Sequence, residues 1–142
     1  MGNVRFGAIG NDAVFLYRAD KRGDMELDYD TASTEKIDSV VPEEFGGMWF
    51  FKESLNCDDL GMTLLELEPG GKGKPHDHAE DGQEEVYLVV DGELTVEIGD
   101  EDDETESVEL SAGEAIRVGS GTWRALSNDG DKRVRVVIAG AS

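Results

Sequence analysis

The stretch Gly70–Gly92, GGKGKPHDHAEDGQEEVYLVVDG, decides how this chain is read. The protein has two histidines, and both lie here, at His76 and His78. One residue separates them. On an extended strand that spacing turns both imidazoles to the same face, because side chains alternate with period two. An acidic loop follows over 79–83. Glu84–Val90 then reads as a β-rich run ending at Asp91-Gly92, a hairpin signal after which Glu93–Ile98 is expected to pair back. Two neutral imidazoles with a carboxylate from a neighbouring strand are a donor set for a divalent metal.

Outward from this stretch the pattern is one of short strands and turns. Upstream, Met48–Glu53 is aromatic-rich, with Trp49 and Phe51 on one face and Phe50 on the other, and Gly61–Glu68 alternates. Downstream, Ser107–Leu110, Glu114–Val118, Trp123–Ser127 and Val134–Ile138 complete the set. The acidic turn 99–104 lacks the Gly and Glu spacing of a calcium-binding loop and reads as solvated. In residues 1–46, Ala13–Tyr17 is a candidate edge strand. Ser33 or Thr34 is a candidate cap for a short helix over 35–41, stopped by Pro42, and Gly46-Gly47 marks a break. Many short strands with regular turn signals predict an all-β sandwich or closed barrel.

The bulk properties narrow the function. A chain of 142 residues fits one domain with a real core. Thirty-three acidic against thirteen basic residues give a formal charge of −20. That charge is spread over nearly every loop. It argues against nucleic-acid and anionic-membrane partners. It also predicts a halophilic protein, whose self-repulsion is screened by salt. The single cysteine, Cys57, excludes an intramolecular disulfide. No apolar run reaches membrane-spanning length and residues 1–6 lack a secretory signal, so a cytoplasmic protein is expected.

The spacing resembles the cupin superfamily. Gly70, five residues, then His76-Asp77-His78 match the first half of that family's first motif, and Glu85, six residues, then Gly92 match its second half. The gap between His78 and Glu85 is longer than the family pattern, as a loop insertion around 80–82 would make it. The frame of the second motif runs through Gly113, Gly119, Gly121, Arg124 and Asn128. Its usual proline is Gly119 here, and its usual metal-binding histidine is Arg124.

The resemblance implies a jelly-roll β-barrel of two antiparallel sheets over 48–142, with an N-terminal extension over 1–47. It also implies a homodimer, and His76, His78 and Glu85 as ligands of a divalent ion (Fe, Mn, Ni or Zn). Arg124 has no lone pair to give a metal. It is expected either to contact an anionic substrate as a catalytic group, or to pair with Glu85 in the metal's place. Two functions follow. One is an enzyme of dioxygenase, isomerase or lyase type acting on a small organic molecule. The alternative is a non-catalytic barrel that binds or senses a small ligand. Tyr87, Trp49, Phe51 and Met62 are candidate pocket or core residues.

Overall fold

The computed structural model describes residues 26–100 and 104–142. Among the described residues, eight strands form two antiparallel sheets: β1 (Gly46–Phe50), β2 (Gly61–Leu67), β3 (Glu84–Asp91), β4 (Glu93–Gly99), β5 (Thr105–Ser111), β6 (Ala115–Val118), β7 (Trp123–Ser127) and β8 (Val134–Ala141). One sheet has the order β1-β2-β8-β3-β6 and the other β5-β4-β7. This is the all-β sandwich expected from the turn spacing, in the jelly-roll form that the resemblance implies. The candidate strand Ala13–Tyr17 lies outside the described residues.

Period-two burial builds the core. On β3, Tyr87 and Val89 point inward while Glu84, Val86, Leu88 and Val90 are exposed. On β8, Val134, Val136 and Ile138 face the same interior. Leu94, Val96, Leu110 and Leu126 of the smaller sheet close on them. Each such side chain contributes about 1.5–3 kcal/mol on leaving water. The second sheet is extended by the histidine stretch, which runs beside β7 without forming a regular strand. Gly73 donates to the Leu126 carbonyl, His76 and Arg124 exchange both backbone hydrogen bonds at 3.0 and 2.9 Å, and His78 donates to the Ser120 carbonyl.

Three local expectations need correction. Asp91-Gly92 does not close a hairpin. It is a corner at which the chain passes from one sheet to the other, because β3 pairs with β8 and β6 while β4 pairs with β5 and β7. Gly92 takes φ +84°, and a Cβ there would stand 2.7 Å from the Arg133 carbonyl oxygen. The helix over 35–41 is reduced to one turn. Ser33 accepts from Lys36 and Ile37, but Val40 then donates to the Met48 carbonyl and the Ser39 hydroxyl accepts from the Met48 N–H. Those bonds pull the segment out alongside β1. Gly46-Gly47 is the start of β1 and not a break: Gly47 lies beneath the Trp49 ring, where a Cβ would collide at 2.1 Å.

Candidate metal centre

Three elements bring the site together. Glu85 sits one inward step before Tyr87 on β3, so the alternation that buries Tyr87 and Val89 also turns this carboxylate into the barrel. His76 and His78 approach from the extended segment beside β7, and Arg124 and Leu126 face inward from β7 itself. Gly61, Gly140, Glu85 and Val118 form one cross-strand row. A Cβ on Gly140 would meet Gln83 Oε1 at 2.7 Å and Glu85 Cγ at 3.2 Å, so glycine keeps room for the carboxylate.

Four groups converge on one oxygen. Glu85 Oε1 lies 3.5 Å from His76 Nε2, 3.2 Å from His78 Nε2 and 3.2 Å from Arg124 Nη1, and it accepts the Tyr87 hydroxyl at 2.5 Å. Burial alone would push the Glu85 carboxyl up. Hydrogen bonds from His76 and Tyr87, and the charges of the two imidazoles, outweigh it and bring it down to about 2. The bond to Glu85 raises His76 above its ordinary value, against the effect of its own burial. Burial, and then the bond to Glu85, push the Tyr87 phenol far above its usual range, so it stays a neutral donor.

The outer nitrogens of both rings are held. His76 Nδ1 donates to the Lys74 carbonyl at 2.9 Å, and His78 Nδ1 lies 3.1 Å from both Asp81 carboxylate oxygens. When the rings are neutral, such outer bonds fix the tautomer and leave Nε2 as the lone pair facing inward; when a ring is protonated, its Nε2–H points at Glu85 instead. His78 Nε2 is buried without a hydrogen-bond partner. It faces Glu85 Oε1, so a lone pair is set against an anion, and a cation or a proton between them relieves that contact. Donors about 2.1 Å from one ion stand roughly 3.0 Å apart at an octahedral edge and 3.4 Å at a tetrahedral one. The His78–Glu85 separation of 3.2 Å falls in that span and the His76–Glu85 separation of 3.5 Å just above it, and the three ligand atoms lie within 4.8 Å of one another. The cluster suits a divalent ion.

Arg124 is completely buried. Besides Glu85, its Nη2 donates to the Gly119 carbonyl at 2.7 Å, while its Nε has no partner. It stands behind Glu85, outside the lining of the adjoining cavity. That cavity, about 1150 Å³, is lined by His76, His78, Glu85 and Tyr87 at one end and by apolar side chains at the other. Of the candidate pocket residues, Tyr87 and Met62 line it and Phe51 does not, whereas Trp49 sits on the outer face of the sheet in the row Trp49, Leu64, Val137 and Leu88; Phe50, not among those candidates, lines the cavity.

Two contributors escaped the sequence reading. Asp81 belongs to the inserted loop, and its role depends on a turn in which Gly82 donates to the His78 carbonyl and Gln83 to Asp81. The bonds from His78 and Gln83 hold the Asp81 carboxyl below its usual range. Gln83 shares Glu85's parity and reaches the cavity, although it does not fit the motif spacing.

Solved structures with the same fold include a protein from Bacillus halodurans (24% identity, TM-score 0.55, 59% of this chain and 63% of the other). An oxalate decarboxylase from Lactobacillus farciminis in complex with formate is also similar (18%, TM-score 0.65, 76% of this chain and 32% of the other). So is an oxalate oxidase (19%, TM-score 0.66, 100% of this chain and 75% of the other). The chain thus spans less than two thirds of the first two. Curated proteins give no match. The family model described as the cupin domain matches residues 63–140, from β2 through β8 and with every ligand of the cluster inside it, and the chain belongs to that family.

Proposed function

We propose that this cupin is a metal-dependent protein acting on a small organic molecule, with His76, His78 and Glu85 as the ligands. One observation carries the reading: two imidazole Nε2 atoms meet Glu85 Oε1 at 3.2 and 3.5 Å around a buried lone pair with no hydrogen-bond partner. A bound Fe, Mn, Ni or Zn ion would supply Lewis acidity or redox chemistry. The chain's own groups do the rest. Lys74 and Asp81 hold the rings with Nε2 bare. Tyr87 and Arg124 hold the carboxylate. Because Arg124 touches Glu85 and not the cavity, we assign it as a positioning residue. The similar proteins named for oxalate, one with formate bound, support a small organic anion as ligand.

A second reading rests on the Arg124–Glu85 ion pair at 3.2 Å. There the guanidinium takes the metal's place, and the barrel binds its ligand without chemistry. Metal content separates the two. Protein purified without tag or chelator is expected to carry near-stoichiometric metal, lost in His76→Ala and in His78→Ala. No metal after incubation with each ion would overturn the metal reading. Ligand-induced stabilisation without turnover would then mark the binding barrel.

The proposal includes a homodimer. Val86, Leu88 and Val90 are 37, 39 and 48% exposed on the outer face of the five-stranded sheet. Arg117–Glu84 and Arg135–Glu66 pairs balance the borders of that face, so a second copy of a chain carrying −20 meets little repulsion there. Leu88→Glu is expected to convert a dimer to a monomer in light scattering, and a monomeric parent protein would overturn this part.

A further inference from the structure

Lys72, Lys74, His76 and His78 alternate along one extended segment, and all four line the same cavity. The chain has six lysines against its thirty-three acidic residues, and three of the six, Lys52, Lys72 and Lys74, lie on this lining. Asp38, Glu53 and Glu85 share the lining, so its formal charges balance while the whole chain carries −20, and the Lys72–Lys74 row is the side on which an anion is tolerated. Beyond the basic row the wall is mainly apolar, with Ser54 and Thr63 also on it. Met48 and Phe50 of β1, Leu126 of β7, Ile138 of β8 and Phe45 of the preceding turn contribute it. Phe45 and Phe50 are 57 and 48% exposed, which leaves two aromatic side chains on the rim half in water.

A two-carbon dianion needs little of such a space. Pockets of roughly 300–1,000 Å³ enclose drug-sized ligands, and this one reaches about 1150 Å³. We infer that the site takes an amphipathic carboxylate, an alkyl or aryl acid whose head follows Lys72 and Lys74 towards the histidines and whose apolar body lies on Phe45, Met48, Phe50, Leu126 and Ile138. The inference rests on the cavity proposed above as the functional site, and it names the ligand class for it.

The test is isothermal titration calorimetry on the full chain, both metal-loaded and chelated, with octanoate, oxalate and octylammonium as probes. Octanoate is expected to bind at least about tenfold tighter than either of the others, since it alone matches both the basic row and the apolar wall. Lys72→Glu, which leaves Lys74 and its bond to His76 in place, is expected to weaken octanoate severalfold without changing metal content. Phe50→Ser is expected to weaken octanoate severalfold and leave oxalate unchanged. Oxalate binding as tightly as octanoate, or octanoate indifferent to the Lys72 reversal, would overturn the inference. Octanoate binding by a protein that never takes up metal would sink the metal reading alone, so the two failures are distinct.

Discussion

Replacing Arg124 by methionine removes a charge while keeping most of the side-chain volume. Nη1 stands 3.2 Å from Glu85 Oε1, and Arg124 has no exposed surface while Glu85 has 12% of its side chain exposed. At an effective dielectric near 20, two unit charges at that distance attract by about 5 kcal/mol. The variant also leaves the Gly119 carbonyl without its 2.7 Å donor. Breaking a buried pair by removing one partner costs about 3–5 kcal/mol, because the other charge stays behind uncompensated. In a domain of this size a shift of about 3–5 °C per kcal/mol makes that a fall in Tm of roughly 9–25 °C.

The assay is urea and thermal denaturation of metal-free protein for the parent, Arg124→Met, Glu85→Gln and the double variant. The double variant is expected to recover part of the loss, with a coupling of about 2 kcal/mol or more. Zinc is expected to stabilise Arg124→Met more than the parent, because the ion then supplies the missing positive charge. A cost below about 1 kcal/mol, or strict additivity in the cycle, would refute Arg124 as the counter-ion of Glu85.

Other outcomes follow from the same structure. Arg124→His is expected to raise metal affinity, since it adds a lone pair where the chain now has a cation; direct metal titration reads this. Asn128→Ala should cost about 3 kcal/mol, near 10 °C in Tm, because it strips donors from the Leu67 and Lys132 carbonyls and an acceptor from the Gly130 N–H. In chelated protein held in molar potassium chloride, the Glu85 carboxylate adds stability above its ordinary 4.5 and loses it as pH falls through about 2. His76 adds stability below its ordinary 6.5 and loses it as pH rises through its raised value. A Tm maximum between those ordinary values is therefore expected, with an alkaline decline missing from His76→Ala. Molar potassium chloride should also raise the Tm of the parent protein, given its charge of −20; equal stability in dilute buffer would count against the halophilic setting.

Much of the fold was readable because each strand buries one face. Val134, Val136 and Ile138, or Tyr87 and Val89, announce their direction by spacing alone. The same parity separates Arg124 and Leu126, which are buried, from Trp123 on β7, and the six-residue spacing to Gly92 points to Glu85. What failed was decided at a distance. Asp91-Gly92 has the chemistry of a hairpin, yet whether β4 folds back on β3 depends on β8 and β7, far along the chain. The 35–41 segment has helical local preferences, but Met48 competes for its backbone and wins. Asp81 was hidden because any of several acids in that loop had an equal claim until the turn at Gly82 fixed which one faced His78.

The cavity joins two stretches of chain, one inside the matched family region and one upstream of it. Its polar end is made within residues 63–140, whereas Ile37, Val41, Phe45, Met48 and Phe50 lie upstream of that matched region. Substitutions in the upstream stretch reshape the apolar wall without touching a coordinating atom. Part of the apolar wall can therefore be changed apart from the candidate ligands, and grafting 37–50 between related barrels tests whether ligand preference moves while metal content stays.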